Sequence, residues 1–230
     1  MALPIVATPK YEIKIPSSGQ VIEYRPFLVK ESKILTLASA SEDTIEMVAA
    51  CQQVIQNCSF GKLDAKKLAM FQLQWIFLQL RTKSVGNIQE FVLICGDCKD
   101  RLKYEAKLDE FKLKGLDNKL SNKIEISSDT GLVLKYPSAE IQSKLSDLSD
   151  AELLKHCIDY IYQAEEIFRT EEESEADLLA FIDNLSLDVL EKVSEFFRTM
   201  PVIEHVVNYT CKKCERENTV SINGYEHFFF

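Results

Sequence analysis

Glycine and proline are scarce in this 230-residue chain, at seven and six, and there is a single tryptophan. This excludes collagen-like and Pro/Gly-rich disordered classes. Cysteine is also sparse: seven, an odd number, argues against a secreted disulfide knot and fits a reducing compartment. Basic charge is in deficit. Lys and Arg total 27 against 36 for Asp and Glu, a net charge of −9, which argues against a sequence-independent nucleic-acid binder. No apolar run approaches the ~18 residues of a membrane helix, since the richest, Leu68 to Leu80, carries Gln72, Gln74 and Gln79. The start lacks a basic region, and Pro4 and Pro9 interrupt its apolar residues, so no targeting segment is expected and the protein reads as soluble and cytosolic. Nucleotide-binding glycine loops, a Walker A loop, His-Glu-x-x-His and Gly-x-Ser-x-Gly are all missing. Nothing in the residues indicates an enzyme, a small-molecule substrate or a membrane partner.

The chain is 46% hydrophobic and 27% charged, a globular composition for one or two domains with a real core. Its first segment reads as a hairpin: Tyr11–Ile15 alternates, Pro16 to Gly19 supplies the turn, and Gln20–Arg25 returns to Pro26. A helix is expected from an N-cap at Ser41 through Ile45, Val48, Ala49, Gln52 and Ile55. A second begins near Asp64 and is apolar around most of its circumference, which marks it as central, with Trp75 buried. Strands are expected at Ile88–Ile94 and Arg101–Leu108, with a hairpin of 123–127 and 132–136 about Ser128–Gly131. Ser149-x-x-Glu152 is a capping box, and Leu154, Ile158, Ile161 and Phe168 are placed on one face of the helix it opens. Shorter helices over 175–184 and 187–199 stop at Pro201, and strands return at Ile203–Tyr209 and Asn218–Ile222.

Charge is uneven: Gln163 to Arg198 holds eleven acids against three bases, a solvated helical face or a docking face for a basic partner. The terminal Gly224–Phe230 segment ends in three phenylalanines. It either folds back on the core or is kept as an aromatic anchor for a partner.

Two pairs carry the chemistry, Cys95-Gly96-Asp97-Cys98 and Cys211-Lys212-Lys213-Cys214. Each follows an expected strand and precedes another, so each sits on a tight turn able to aim two thiolates at one metal. One pair offers too few ligands for structural zinc, whereas four thiolates close a tetrahedral site. The pairs lie about 110 residues apart, well beyond the ~15–20 of a contiguous ribbon, so one shared zinc site needs the middle and end of the chain to meet. A thioredoxin-like dithiol competes, but it needs a helix after its cysteines, and Lys99–Leu108 alternates like a strand. A zinc-ribbon nucleic-acid binder draws support from the basic stretch Lys99 to Lys123, but lacks interleaved aromatics. Cys51, Cys58 and Cys157 read as buried and inert. His205 and His227 flank the second pair as reserve ligands.

Four stretches carry a family resemblance: Ile15–Gly19 through Tyr24-Arg25-Pro26-Phe27; Gln74–Gly86; Gly131–Pro137; and Phe196–Pro201 through Cys211–Cys214 to the terminal aromatics. In that order they span nearly the whole chain, and the sequence resembles the baseplate hub and hub-assembly proteins of T4-like contractile-tailed bacteriophages. The resemblance implies a late, non-enzymatic morphogenesis protein that meets other hub proteins in the host cytoplasm and belongs to assembly of the virion baseplate. The second knuckle in that family often reads Cys-x-x-Cys-Gly, and here Glu215 follows instead; the ligands themselves are intact. The expected fold is α+β. An N-terminal hairpin (1–27) precedes a mostly helical body (28–87 and 140–200). A smaller β-subdomain (88–139 and 201–230) carries a zinc-ribbon-like site of Cys95, Cys98, Cys211 and Cys214.

Overall fold

A computed structural model describes residues 7–116, 122–144 and 148–223. It is a mixed α/β structure of small antiparallel sheets and helices. Two compact units emerge, one from the residues up to Lys114 and from Val202 on, the other from Gly115 to Pro201.

The first unit opens with the hairpin β1 (Tyr11–Lys14) and β2 (Val21–Tyr24), paired from Tyr11↔Tyr24 to Lys14↔Val21. Gln72 ties its turn down by donating to the Pro16 carbonyl and the Ser17 hydroxyl. Helix α1 (Val29–Ser41) starts where the Glu31 carboxylate accepts from the Leu28 N–H. Among its residues only Glu31 and Ala38 are buried. Helix α2 (Thr44–Cys58) is capped by Asp43, which accepts from the Ile45 and Glu46 N–H groups, so the cap lies two residues beyond the expected Ser41. Ser41 instead belongs to α1, whose end is marked by Glu42 at φ 54°. Asp64 caps a short 3₁₀ turn (Ala65–Lys67), and the central helix α3 (Met70–Ser84) begins after it. Leu73, Ile76, Phe77, Leu78 and Leu80 of α3 are fully buried, as the pattern required, but Trp75 is half-buried. Its indole packs against the strands that follow.

Those strands form two small sheets. β3 (Ile88–Ile94) and β4 (Arg101–Lys107) pair as a hairpin from Ile88↔Lys107 to Ile94↔Arg101. β10 (Val202–Thr210) pairs with β11 (Glu217–Asn223) on one edge and with β5 (Lys112–Lys114) on the other. Alternation points Phe91, Leu93, Ile203, Val207 and Ile222 into one core with Leu78 of α3, Leu108 and Phe111. Val202 lies directly opposite Lys114 in the ladder. The chain thus leaves for the second unit and returns from it on neighbouring strands.

The second unit is a four-stranded antiparallel sheet with helices. Its strands are β6 (Lys123–Glu125), β7 (Thr130–Leu134), β8 (Ile158–Gln163) and β9 (Glu166–Arg169), in that order. The helices are α4 (Ala139–Ser143), α5 (Asp150–Cys157), α6 (Glu175–Asp183) and α7 (Leu187–Arg198). Ile124, Leu132, Leu134, Leu154, Ile158, Leu178, Val189, Val193 and Phe196 make its core. Gly131 is required here: a Cβ would come within 2.5 Å of the Ile124 carbonyl oxygen and closer still to the Tyr162 hydroxyl.

One expectation fails in this unit. The capping box at Ser149 is present, but the helix ends at Cys157, and Ile158 and Ile161 lie on a strand with Phe168 on its partner. The run Ile-Asp-Tyr-Ile-Tyr-Gln suits a strand, and Ile158 and Ile161 bury on the sheet through a register shift opposite Val133/Leu134. The helices of 28–87 associate with the β3–β4 and β10–β11 hairpins, and those of 140–200 with strands β6 to β9. Residues 224–230, with His227 and the terminal phenylalanines, lie outside the described residues.

Candidate metal centre

Both cysteine pairs occupy the turns of long hairpins. Cys95 directly follows β3 and Cys98 stands before β4, while Cys211 follows β10 and Cys214 stands before β11. The turns share one backbone pattern. Cys95 N–H donates to the Asp100 carbonyl at 2.9 Å and Lys99 N–H to the Cys95 carbonyl at 3.2 Å. In the second turn Cys211 N–H donates to the Arg216 carbonyl at 2.8 Å and Glu215 N–H to the Cys211 carbonyl at 2.9 Å. Lys99 and Glu215, each following the second cysteine, adopt φ 59°. This is the left-handed conformation glycine takes most easily. The knuckle therefore forms with Glu215 where the family resemblance implies glycine.

Because β3–β4 and β10–β11 share one core, their turns meet. All four Sγ atoms lie within 4.8 Å of one another. The Cys95–Cys214 separation is 3.7 Å and Cys98–Cys211 is 3.6 Å. Zinc–sulfur bonds of ~2.3 Å in a tetrahedron place sulfurs about 3.8 Å apart, so this donor set has the size of a four-thiolate site. All seven cysteines are free thiols.

The local electrostatics favour thiolate unevenly. The N–H groups of Cys98 and then Asp97 point at the Cys95 sulfur and bring its pKa down to about 6. The Asp100 N–H favours the Cys98 thiolate in the same way, but burial and the neighbouring cysteines outweigh it and push Cys98 up to about 12. Cys214 is also raised: the Arg216 N–H favours its thiolate, and burial and neighbouring thiols override that. Four thiolates this close need a cation among them to ionise together.

Residues beyond the cysteines join the two turns. Gly96 N–H donates to the Asn218 amide oxygen at 3.2 Å, and Arg216 Nη1 reaches Asp97 Oδ1 at 2.8 Å. The Tyr209 hydroxyl is buried without a hydrogen-bond partner among the described residues, and burial, then the four cysteines, raise its pKa. The sequence carried little sign of Asp97, Tyr209, Arg216 and Asn218. Their only mark is position within or beside the Cys-x-x-Cys turns. His205 stands elsewhere, with Nε2 3.2 Å from the Tyr104 hydroxyl and its ring 5.1 Å from that of Phe111. Among the described residues it is absent from the cysteine cluster. Cys51, Cys58 and Cys157 are buried, with Cys58 pushed to about 11 and Cys157 to about 12 by burial. The first pair runs into strand β4, not the helix a thioredoxin-like dithiol requires.

The chain belongs to a phage family: the family model described as T4 bacteriophage base plate protein matches residues 8–230. No curated protein and no solved structure matches it. Among the described residues no helix is long and apolar enough to cross a membrane.

Proposed function

We propose that Cys95, Cys98, Cys211 and Cys214 hold one structural zinc ion, making the β3–β4 and β10–β11 hairpins a zinc-ribbon-like lock. In this reading the protein is a non-enzymatic tail-morphogenesis component. It takes part in baseplate hub assembly in the host cytoplasm through contacts with other hub proteins, and its destination is the virion baseplate. The observation that carries the reading is the convergence of four thiols within 4.8 Å, at the tips of two hairpins, in a chain of the base plate family. A four-sulfur tetrahedral set selects zinc or an iron–sulfur centre. Zinc has no redox chemistry, so its contribution is to hold the turns together and keep a rigid surface for partners.

Elemental analysis of protein purified without chelator tests the site, and one zinc per chain is the expected result. Iron with visible absorption, or two disulfides with no metal, overturns it. Cys211→Ser, assayed for co-purification with hub proteins and for rescue of a phage lacking this protein, tests the role. Loss of both is expected. Salt-sensitive binding of DNA or RNA at micromolar protein replaces the assembly reading with a nucleic-acid-binding ribbon.

A further inference from the structure

A second feature of the first unit is independent of the cysteines. Ser32, Leu35, Thr36 and Ser39 of α1 fall at helical spacing along one stripe, and Phe77 and Arg81 of α3 with Val85 just beyond form another. Between them, with Phe27, they line a cavity of about 300 Å³. The stripe from Ser32 to Ser39, seven helical rises, gives it a length of roughly 10 Å. The α1 side carries three hydroxyls about Leu35, Phe27, Phe77 and Val85 are apolar, and a guanidinium stands in the lining.

That guanidinium is the anomaly. Arg81 Nη1 is shielded from solvent and has no hydrogen-bond partner among the described residues, and no carboxylate there pairs with the side chain. Burial alone lowers its pKa. The contrast within the same unit is direct: Arg81 is half-buried with its Nη1 shielded, whereas Arg25 is buried and held by both oxygens of Glu31, at 2.9 and 3.3 Å, and by the Pro26 carbonyl. Buried charges in folded proteins are ordinarily paired, because an unpaired one forfeits its hydration without replacement. An arginine left unpaired in an open groove is explained when its partner arrives from outside.

The surroundings indicate the chemistry of that partner. Segments 25–41 and 77–86 carry Arg25, Lys30, Lys33, Arg81 and Lys83 against the single acid Glu31, already committed to Arg25, in a chain whose net charge is −9. The region therefore attracts acidic groups. A free inorganic anion would gain little from Phe27, Leu35 and Val85, whereas a peptide would cover them. An apolar side chain of the lining is already exposed, Val85 at 66%.

We infer that the groove between α1 and the end of α3 is a docking site for a segment of a partner protein that presents a carboxylate flanked by apolar side chains, with Arg81 as the anchor. The carboxylate receives N–H donors of the guanidinium, its apolar neighbours cover Phe27 and Val85, and Ser32 and Ser39 supply rim hydrogen bonds. Metal binding at the cysteines is not involved, so failure of one proposal leaves the other standing.

The test uses the full chain and an acetylated, amidated peptide, Ser-Ala-Leu-Glu-Leu-Ala-Ser, beside its Gln-for-Glu counterpart. Binding is followed by the NMR signal of the Arg81 side-chain N–H. The Glu peptide should shift that signal and bind about tenfold more tightly than the Gln peptide, the size of a lost charge-assisted bond. Arg81→Leu should abolish the preference and, because no described residue bonds the guanidinium, raise the thermal midpoint by roughly 2–4 °C. No shift at millimolar peptide, or equal affinity for the two peptides, overturns the proposal. So does a shift produced equally by inorganic phosphate, which would mark a small-anion site. A lowered midpoint in Arg81→Leu would make Arg81 a structural residue and overturn it too.

Discussion

The unit of residues 115–201 gathers its core from one continuous stretch, Ile124 to Phe196, and that core is entirely apolar. The other unit draws the core beneath its knuckles from two distant stretches, Leu78 to Phe111 and Ile203 to Ile222. Among the described residues, every buried polar or charged side chain lies in this unit: Arg25, Glu31, Gln52, Ser59, Gln74 and Gln89. Its cysteine cluster is there too. A core made of neighbours in sequence closes cheaply through burial alone. One made of segments separated by an 87-residue excursion, Gly115–Pro201, must also meet the entropy of closing that loop. Directional contacts supply what apolar area does not: the β5–β10 ladder at the root of the excursion, the paired cysteine turns at the hairpin tips, and the Arg25–Glu31 pair near the N-terminus.

Removing the tip contacts is the strongest way to break this contrast. With zinc bound as proposed, chelation or Cys95→Ser should strip hydrogen-exchange protection from β3, β4, β10 and β11 while strands β6 to β9 keep theirs. Structural zinc contributes ~10–16 kcal/mol of apparent binding energy in small peptides, so the loss should be near complete at the hairpin tips. Equal loss in both units would refute the division.

Glu31→Ala comes next. It leaves the Arg25 guanidinium buried without its carboxylate, at a cost of about 3–5 kcal/mol in urea denaturation. The same pair makes the first unit sensitive to acid. Burial would raise the Glu31 pKa, but the Arg25 guanidinium and the Leu28 N–H hold it below the ordinary 4.5. Because the folded value is depressed, the stabilisation is present above about pH 4.5 and is lost as pH falls through the folded value. Acid titration should therefore open the first unit before the second, and Glu31→Gln should flatten that response.

Leu132→Ala tests the apolar unit. The side chain is fully buried among Ile124, Leu154 and Ile158, so about 2–5 kcal/mol should be lost, with no change in metal content. Loss of metal together with the core would show that the units are not independent. The smallest effect belongs to Glu215→Gly: relieving the left-handed residue should gain about 1 kcal/mol, offset in part by glycine's greater freedom in the unfolded chain. A thermal shift of the knuckle unit measures it, and destabilisation would mean that the Glu215 side chain is itself needed.

Much of the fold is written in short-range pattern. Alternation around Gly19, the Ser149 capping box and the paired turns at Cys95 and Cys211 each depend on a handful of adjacent residues and form where the pattern places them. The hairpin of β6 and β7 forms with its return strand starting at Thr130, so that Gly131 pairs with Glu125 and is not part of the turn. The pattern is ambiguous where two periods fit the same residues. Ile158, Ile161 and Phe168 satisfy a helical face as well as a strand, and only pairing with β7 selects the strand. Trp75 fits a buried stripe, yet the neighbouring hairpins leave its indole half covered.

The four cysteines, their spacing within each turn and the strands that carry them are legible in the residues alone, because a Cys-x-x-Cys hairpin is a local object. Tertiary structure alone decided that the pairs meet, since that depends on β3, β4, β10 and β11 sharing one core. It also decided which arginine has a carboxylate. Arg25 and Arg81 are chemically identical, but the chain brings Glu31 to the first and opens a groove beside the second. Pairing depends on distance in space, which no single-residue pattern encodes.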